Sequence, residues 1–69
     1  MPENCAEIID QLVERRQMLN LTQKQLADAA GLAQSGVARL ESKKTMPQLD
    51  TLLKVATALG CDLRLVPSN

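Results

Sequence analysis

Two short amphipathic runs joined at a glycine, TQKQLADAAGLAQSGVARLE over residues 22–41, constrain this chain more than any other stretch. Thr22 is placed to cap a first helix over about 23–30, and Gln25, three residues on, completes a capping box. Leu26, Ala27 and Ala30 give that helix one apolar face. Gly31 supplies a residue that accepts positive φ where a helix stops abruptly. A second helix over about 34–42 follows, with Val37 and Leu40 three apart on its inner side. Segments of about eight residues do not stay helical alone in water. Both must be buried against neighbours.

The neighbours come from either side. Residues 5–18 predict a helix whose apolar face is Ile8, Ile9, Leu12 and Val13, with Leu19 continuing the stripe. Met46-Pro47 breaks the chain, and proline suits the start of a further helix. There Leu49, Leu52, Leu53, Ala56 and Leu59 form the most regular apolar stripe of the chain. Asp50 stands in its first turn, where the helix dipole favours an acid, and Gly60 ends it. The period then changes from 3.6 to 2. Leu63 and Leu65 alternate in the run from Asp62 to Val66, ahead of Pro67, which predicts a short strand over 62–66. With no second strand predicted, its backbone donors and acceptors need an outside match. The economical partner is the same strand of a second copy, which makes Leu63, Arg64, Leu65 and Val66 the expected dimer interface. An extended, loosely docked terminus is the alternative. The expected architecture is a single all-α domain over 1–69 with its core in 5–60, plus that strand.

Composition narrows the function. The 69 residues include no Phe, Tyr or Trp, so the core has to be built from Leu, Ile, Val, Ala and Met. Such a core is thin, and dimerisation would add burial. No apolar run approaches the ~20 residues of a membrane span. The opening MPENCAEIID is acidic and lacks the basic start of a signal peptide, so a cytoplasmic location is expected. Cys5 and Cys61 fit no metal spacing, and without histidine a zinc site has too few ligands. Two reduced thiols are expected; a crosslink between them would depend on geometry. The chain also lacks a nucleophile–base pair and a phosphate loop. Neither an enzyme nor a cofactor is expected.

Net charge is zero, but it is unevenly spread. Residues 1–14 carry four acids (Glu3, Glu7, Asp10, Glu14) and no base, whereas 15–44 carry six bases (Arg15, Arg16, Lys24, Arg39, Lys43, Lys44) against Asp28 and Glu41. A local positive face, rather than total charge, steers a protein to phosphate. The competing account is an ordinary solvated surface.

Arg16, Leu21-Thr22-Gln23, Leu26-Ala27, Gly31, Val37, Leu40-Glu41, Pro47, Leu49, Leu52-Leu53, Ala56 and Leu59-Gly60 stand in one ungapped register across residues 12–60. Together they resemble the helix-turn-helix of the phage repressor and Cro family, the Xre-type regulators. The resemblance implies a lambda-repressor-like bundle of four helices. It also implies a homodimer that binds double-stranded DNA at a pseudo-palindromic operator through the major groove. In the family, an arginine matching Arg16 pairs with the glutamate that matches Glu41. That implies a partly buried structural pair here, two exposed charges being the alternative. The strand-like tail is similar to that of antitoxin-type members, and on that resemblance a toxin protein is the further partner implied.

The resemblance also assigns site residues. Gln23 lies where the family places a glutamine on a DNA phosphate, often touching a second glutamine, here Gln34. Free N–H groups in the first helical turn suit an anion there, at Thr22 and Gln23. Gln34, Ser35, Ala38 and Arg39 face away from Val37 and Leu40 and are the expected base contacts. Gln can grip adenine, Arg can grip guanine, and Ser can bond to either kind of edge. The run Gln34-Ser35-Gly36-Val37 is similar to the start of the recognition helix in lambda repressor. Gly36 costs about 1 kcal/mol relative to Ala in a helix interior; close packing or close approach of DNA, whether a thymine methyl or the backbone, would offset it.

Two departures stand out. Ala33 replaces the usual capping Ser or Thr. Ser42-Lys43 replaces the usual Asn-Gly, so Lys43 must adopt a turn conformation that glycine takes easily, or the loop must differ. Lys43 and Lys44 are expected on phosphates, with a plain solvated loop as the alternative. The leading expectation is a sequence-specific transcriptional regulator of the repressor kind. An antitoxin that binds both operator and toxin is the second, and a protein-interaction module without DNA binding the third.

Overall fold

The apolar stripes resolve into α1 (Glu3–Met18), α2 (Gln23–Ala30), α3 (Gln34–Glu41) and α4 (Leu49–Ala58) in a computed structural model that describes residues 3–67. The outermost residues of the single domain expected over 1–69 lie outside that range. Each helix contributes to one core: Ile9 and Leu12 from α1, Leu26 and Ala27 from α2, Val37 and Leu40 from α3, and Leu52, Val55 and Ala56 from α4. Leu59, just past α4, completes it. α2 packs against α3 and α4, and α1 against α3. The two shortest helices therefore lie between the two longer ones, which is how they remain helical.

Helix starts and stops follow local chemistry. At α2 the capping box is complete: the Gln25 N–H donates to Thr22 Oγ1 at 3.0 Å, and the Thr22 N–H donates to Gln25 Oε1 at 2.9 Å. Gly31 ends α2 at φ +70°, and the Leu32 N–H returns to the Ala27 carbonyl at 2.8 Å. The end of α4 repeats this with Gly60 at φ +72° and Cys61 N–H to the Ala56 carbonyl at 2.8 Å. Asn20, at φ +57°, ends α1 in the same way, with Leu21 N–H to the Arg16 carbonyl at 3.1 Å. In each case the left-handed residue lets the next N–H reach back five residues and satisfy an orphan carbonyl.

The end of α3 is the variant. Lys43 adopts φ +60°, the left-handed turn conformation that its place after Ser42 demands. The returning backbone bond is replaced by a side chain. The Ser42 hydroxyl donates to the Arg39 carbonyl at 2.6 Å and accepts from the Lys44 N–H at 3.3 Å. Serine thus bridges two groups that meet directly at the other helix ends.

Three stripe residues fall outside the core. Leu49 and Leu53 are exposed (68% and 44%), while Val55 is buried. Leu52, Val55, Ala56 and Leu59 form the i, i+3, i+4, i+7 face that meets the other helices. Leu49 and Leu53 flank that face, so the apolar arc of α4 is wider than the arc its neighbours cover. Leu19 is likewise exposed, because α1 stops at Met18 and Leu19 sits in the turn to Asn20. The tail forms no strand within the single chain among the described residues. Leu63 rests against the core, but Leu65 and Val66 are fully or largely exposed.

Two glycines in this fold have opposite mutational signatures. Gly31→Ala places a Cβ at a left-handed position and should cost about 1–2 kcal/mol. Gly36→Ala fills a helical position and should gain up to about 1 kcal/mol. Thermal or urea unfolding of the two variants should shift in opposite directions from wild type.

Candidate nucleic-acid interface

α3 turns Val37 and Leu40 fully inward, and this sets its opposite face. Gln34, Ser35, Ala38 and Arg39 are all exposed and stand on one uncovered ridge. Their side chains offer an amide, a hydroxyl, a methyl and a guanidinium, a set suited to base edges in a major groove. Ala33 caps the helix with no side-chain bond, as its methyl dictates.

One carboxylate holds this ridge to the rest of the domain. Glu41, at the end of α3, accepts from Arg16 Nε at 2.8 Å and from Arg16 Nη2 at 3.1 Å, a two-pronged pair. The Arg16 and Glu41 side chains are only 14% and 10% exposed. Arg16 Nη1 also donates to the Leu21 carbonyl at 2.7 Å, in the turn between α1 and α2. A third donor reaches the same carboxylate: Gln23 Nε2 to Glu41 Oε1 at 2.9 Å. The network therefore joins α1, the first turn of α2 and the last turn of α3. Gln23 is half-buried and held by Glu41, and no bond links it to Gln34 among the described residues, unlike the family arrangement. The carboxamide keeps a second N–H that Glu41 does not use.

The basic residues separate into paired and unpaired. Lys43 Nζ meets Asp10 Oδ1 at 2.6 Å, across from the loop after α3 to α1. Lys24 lies 3.7 Å from Asp28, both well exposed. Arg16 is committed to Glu41, and Arg15 Nε donates to the Leu59 carbonyl at 3.1 Å, securing the end of α4 to α1. Arg39 and Lys44 have no acidic partner within ion-pair distance among the described residues. The positive face is therefore thinner than the six bases of residues 15–44 suggest. Thr22 is exposed at the start of α2, with its hydroxyl already used in the capping box.

Sequence reasoning passed over the Gln23–Glu41 bond and three further contacts. Asp10 and Lys43 lie 33 residues apart, with no pattern linking them. Arg15 reads as one of two adjacent arginines, and only the packing of α1 beside the end of α4 gives it a carbonyl. The Ser42 bridge needs the Lys43 turn in hand to be seen. In the tail, Arg64 pairs loosely with Asp62 at 3.5 Å, both exposed. Cys5 and Cys61 are free thiols, each half-buried. Among the described residues no group of three or more Cys, Asp or Glu side chains is placed to hold a metal, and no helix is long and apolar enough to cross a membrane.

Removing one partner of a nearly dry charge pair leaves the other uncompensated. Arg16→Met should therefore destabilise the domain by roughly 3–5 kcal/mol, read by urea unfolding. Asp10→Asn breaks an exposed pair and should change stability by no more than about 1 kcal/mol.

The comparisons agree with this geometry. A family described as helix-turn-helix matches residues 12–66. An uncharacterised HTH-type transcriptional regulator of Haemophilus influenzae is 45% identical over 60 residues, which cover 87% of this chain and 61% of that protein. The cryptic phage CTXphi transcriptional repressor RstR of Vibrio cholerae is 34% identical over 53 residues, 77% of this chain and 47% of the repressor. Antitoxin HigA1 of Mycobacterium tuberculosis is 34% identical over 64 residues, 93% of this chain and 43% of the antitoxin. The chain thus spans about three-fifths or less of these relatives. Among solved structures, a chain of a toxin-antitoxin module from Streptococcus pneumoniae superposes with a TM-score of 0.81 at 40% identity, over 97% of this chain and 74% of that one. A four-helix fold with α2 and α3 set around the Gly31 turn, matched by the family over most of its length, makes this chain a member of the helix-turn-helix family.

Proposed function

We propose that this chain is a sequence-specific DNA-binding transcriptional regulator, a cytoplasmic repressor without catalytic activity or cofactor. The observation that carries the reading is the uncovered ridge of Gln34, Ser35, Ala38 and Arg39 on α3. In the complex, α3 enters the major groove. Arg39 addresses a guanine, Gln34 an adenine, and Ser35 and Ala38 the edges between them. Gln23 donates its unused N–H to a phosphate beside α2, near Thr22. Lys44 neutralises a phosphate beside α3, and Lys43 does so once it parts from Asp10.

Two copies bind together in this proposal. Residues 62–66 of one copy pair with the same residues of another, so that the exposed Leu65 and Val66 are covered and the tail backbone is matched. The two recognition helices then face half-sites about one helical turn apart on a pseudo-palindromic operator. Similarity to antitoxin HigA1 and to the toxin-antitoxin module supports a second reading, in which the same chain binds its operator and also a toxin protein. Co-purification with the product of a neighbouring reading frame supports that second reading; its absence under co-expression removes it.

Selection from random DNA at low salt tests the main reading. Folded protein that enriches no sequence would refute it. Arg39→Ala should relax the preference at one position, by about 1–3 kcal/mol. Lys44→Ala should weaken all sequences alike and make the salt dependence shallower by about one unit of slope per copy. Asp10→Asn should tighten DNA binding in the Lys43 background but not in Lys43→Met, as measured by fluorescence anisotropy.

A further inference from the structure

α4 carries more apolar surface than its own fold covers. Leu49 and Leu53, one turn apart on the same side of the helix, are 68% and 44% exposed. Their row continues to Thr57, and the row beside it holds Asp50, Lys54 and Ala58. Where these rows run toward the end of α4, α2 lies alongside with Ala29 and Ala30. A groove of about 550 Å³ opens there, lined by those two residues and by Leu53, Lys54, Thr57 and Ala58. Four of the six are apolar; Lys54 and Thr57 supply the polar part. Asp50 and Lys54 are exposed, and neither has an ion-pair partner among the described residues. They do not pair with each other, although Lys24 and Asp28 do so at the same spacing.

We propose that this face is a docking site for a second copy of the chain. The two α4 helices lie antiparallel across a two-fold axis, and Leu49 of each copy sits in the groove of the other. The register follows from α4 itself. The α4 residues that line the groove are centred about six residues beyond Leu49. A two-fold axis that brings Leu49 to that level passes close to the level of Leu52, and so exchanges positions 50 and 54. Asp50 of each copy then faces Lys54 of the other. The apolar fit and the charge fit thus call for the same axis, although different residues carry them. A two-fold contact has to be complementary to itself, and an acid one turn ahead of a base meets that condition where two like charges would not. The proposal is independent of the DNA-binding reading and uses none of residues 62–66. Copies paired through their tails would therefore join further through α4.

Sedimentation equilibrium of the full chain without DNA, from micromolar to millimolar concentration, tests this. Wild type, with both contacts, should form assemblies larger than a dimer. Arg64→Pro/Leu65→Pro removes a backbone N–H from an antiparallel tail ladder in either register, and should remain dimeric through α4. Adding Leu49→Ser to that protein should weaken the dimer about a hundredfold or more, since two leucines leave the contact. Its circular dichroism should keep the helix content of wild type, because Leu49 is mostly exposed. Charge reversal then reads the register. In the tail-proline protein, Asp50→Lys and Lys54→Glu should each weaken association about tenfold at low salt. An equimolar mixture of the two should associate about as tightly as the unreversed chain, because every reversed charge then faces its opposite. A tail-proline protein that stays monomeric overturns the proposal, and so does a mixture no tighter than its components. Leu49→Ser with the tail intact should stay dimeric; if it is monomeric instead, the tail pairing proposed above fails and the α4 contact is the one that holds the copies.

Discussion

The Glu41 carboxylate is the point on which this small domain depends. Its two oxygens take three donors, two from Arg16 and one from Gln23, in a place almost closed to water. The core beneath it is aliphatic throughout and has no ring to lock an angle. Apolar burial drives the helices together without specifying direction. Hydrogen bonds between charged groups are directional, and a two-pronged arginine–carboxylate pair fixes both distance and plane. The orientation of α3 relative to α1 and α2 is therefore set where α3 ends, at the last residue before the chain turns away. Because the ridge of α3 is rigidly tied to that end, the same bonds aim Gln34 and Arg39.

The helix ends show how a short chain keeps its elements short. α1, α2 and α4 are each closed by a left-handed residue and a bond reaching back five positions. Only two of those residues are glycine. Asn20 tolerates the conformation because its side chain suits it. Lys43 does not, and a left-handed lysine costs about 1–2 kcal/mol. Two contacts that a glycine or asparagine would not make stand against that cost: the Ser42 hydroxyl bridge and the reach of Lys43 to Asp10. The departure from Asn-Gly is thus a different solution to the same turn. Its consequence is that Lys43 carries a counter-ion of its own.

How far residues alone revealed this follows from the range of each interaction. The capping box, the Gly31 stop and the inward Val37 and Leu40 were legible because they act within a few residues. Position in the family register brought Arg16 and Glu41 together across 25 residues, which periodicity could not have done. The errors lie at the edges of stripes. Leu49 and Leu53 repeat as well as Leu52 and Leu59 do, but a neighbour's reach decides which part of an apolar arc is covered, and that reach is not local. Val55 was overlooked for the converse reason. At the site, Gln34, Ser35, Ala38 and Arg39 emerged as the face opposite the buried pair. The partners of Gln23 and Lys43 did not, because Gln23 meets Glu41 only where α2 packs on α3, and Lys43 meets Asp10 only where α1 packs on α3.

The distribution of paired charge has a consequence for how such a domain would recognise DNA. Arg16, Lys24 and Lys43 each have an acidic partner, and Arg15 is bonded to a carbonyl, so few basic groups near α3 are available to phosphate without rearrangement. Phosphate attraction supplies most of non-specific affinity. A domain with little of it gains less from DNA of any sequence and must draw more from close fit at base edges. Small residues along α3 (Ser35, Gly36 and Ala38) would serve that end on the proposed reading, since they would let the helix approach closely. Such contacts saturate quickly in one short helix. On the proposed reading, a second copy linked through the tail would add an equal set at high effective concentration, without new chemistry. On that reading, a thin charge, a bare ridge and an exposed tail at Leu65 and Val66 belong to one design, in which pairing of copies supplies the affinity that electrostatics does not.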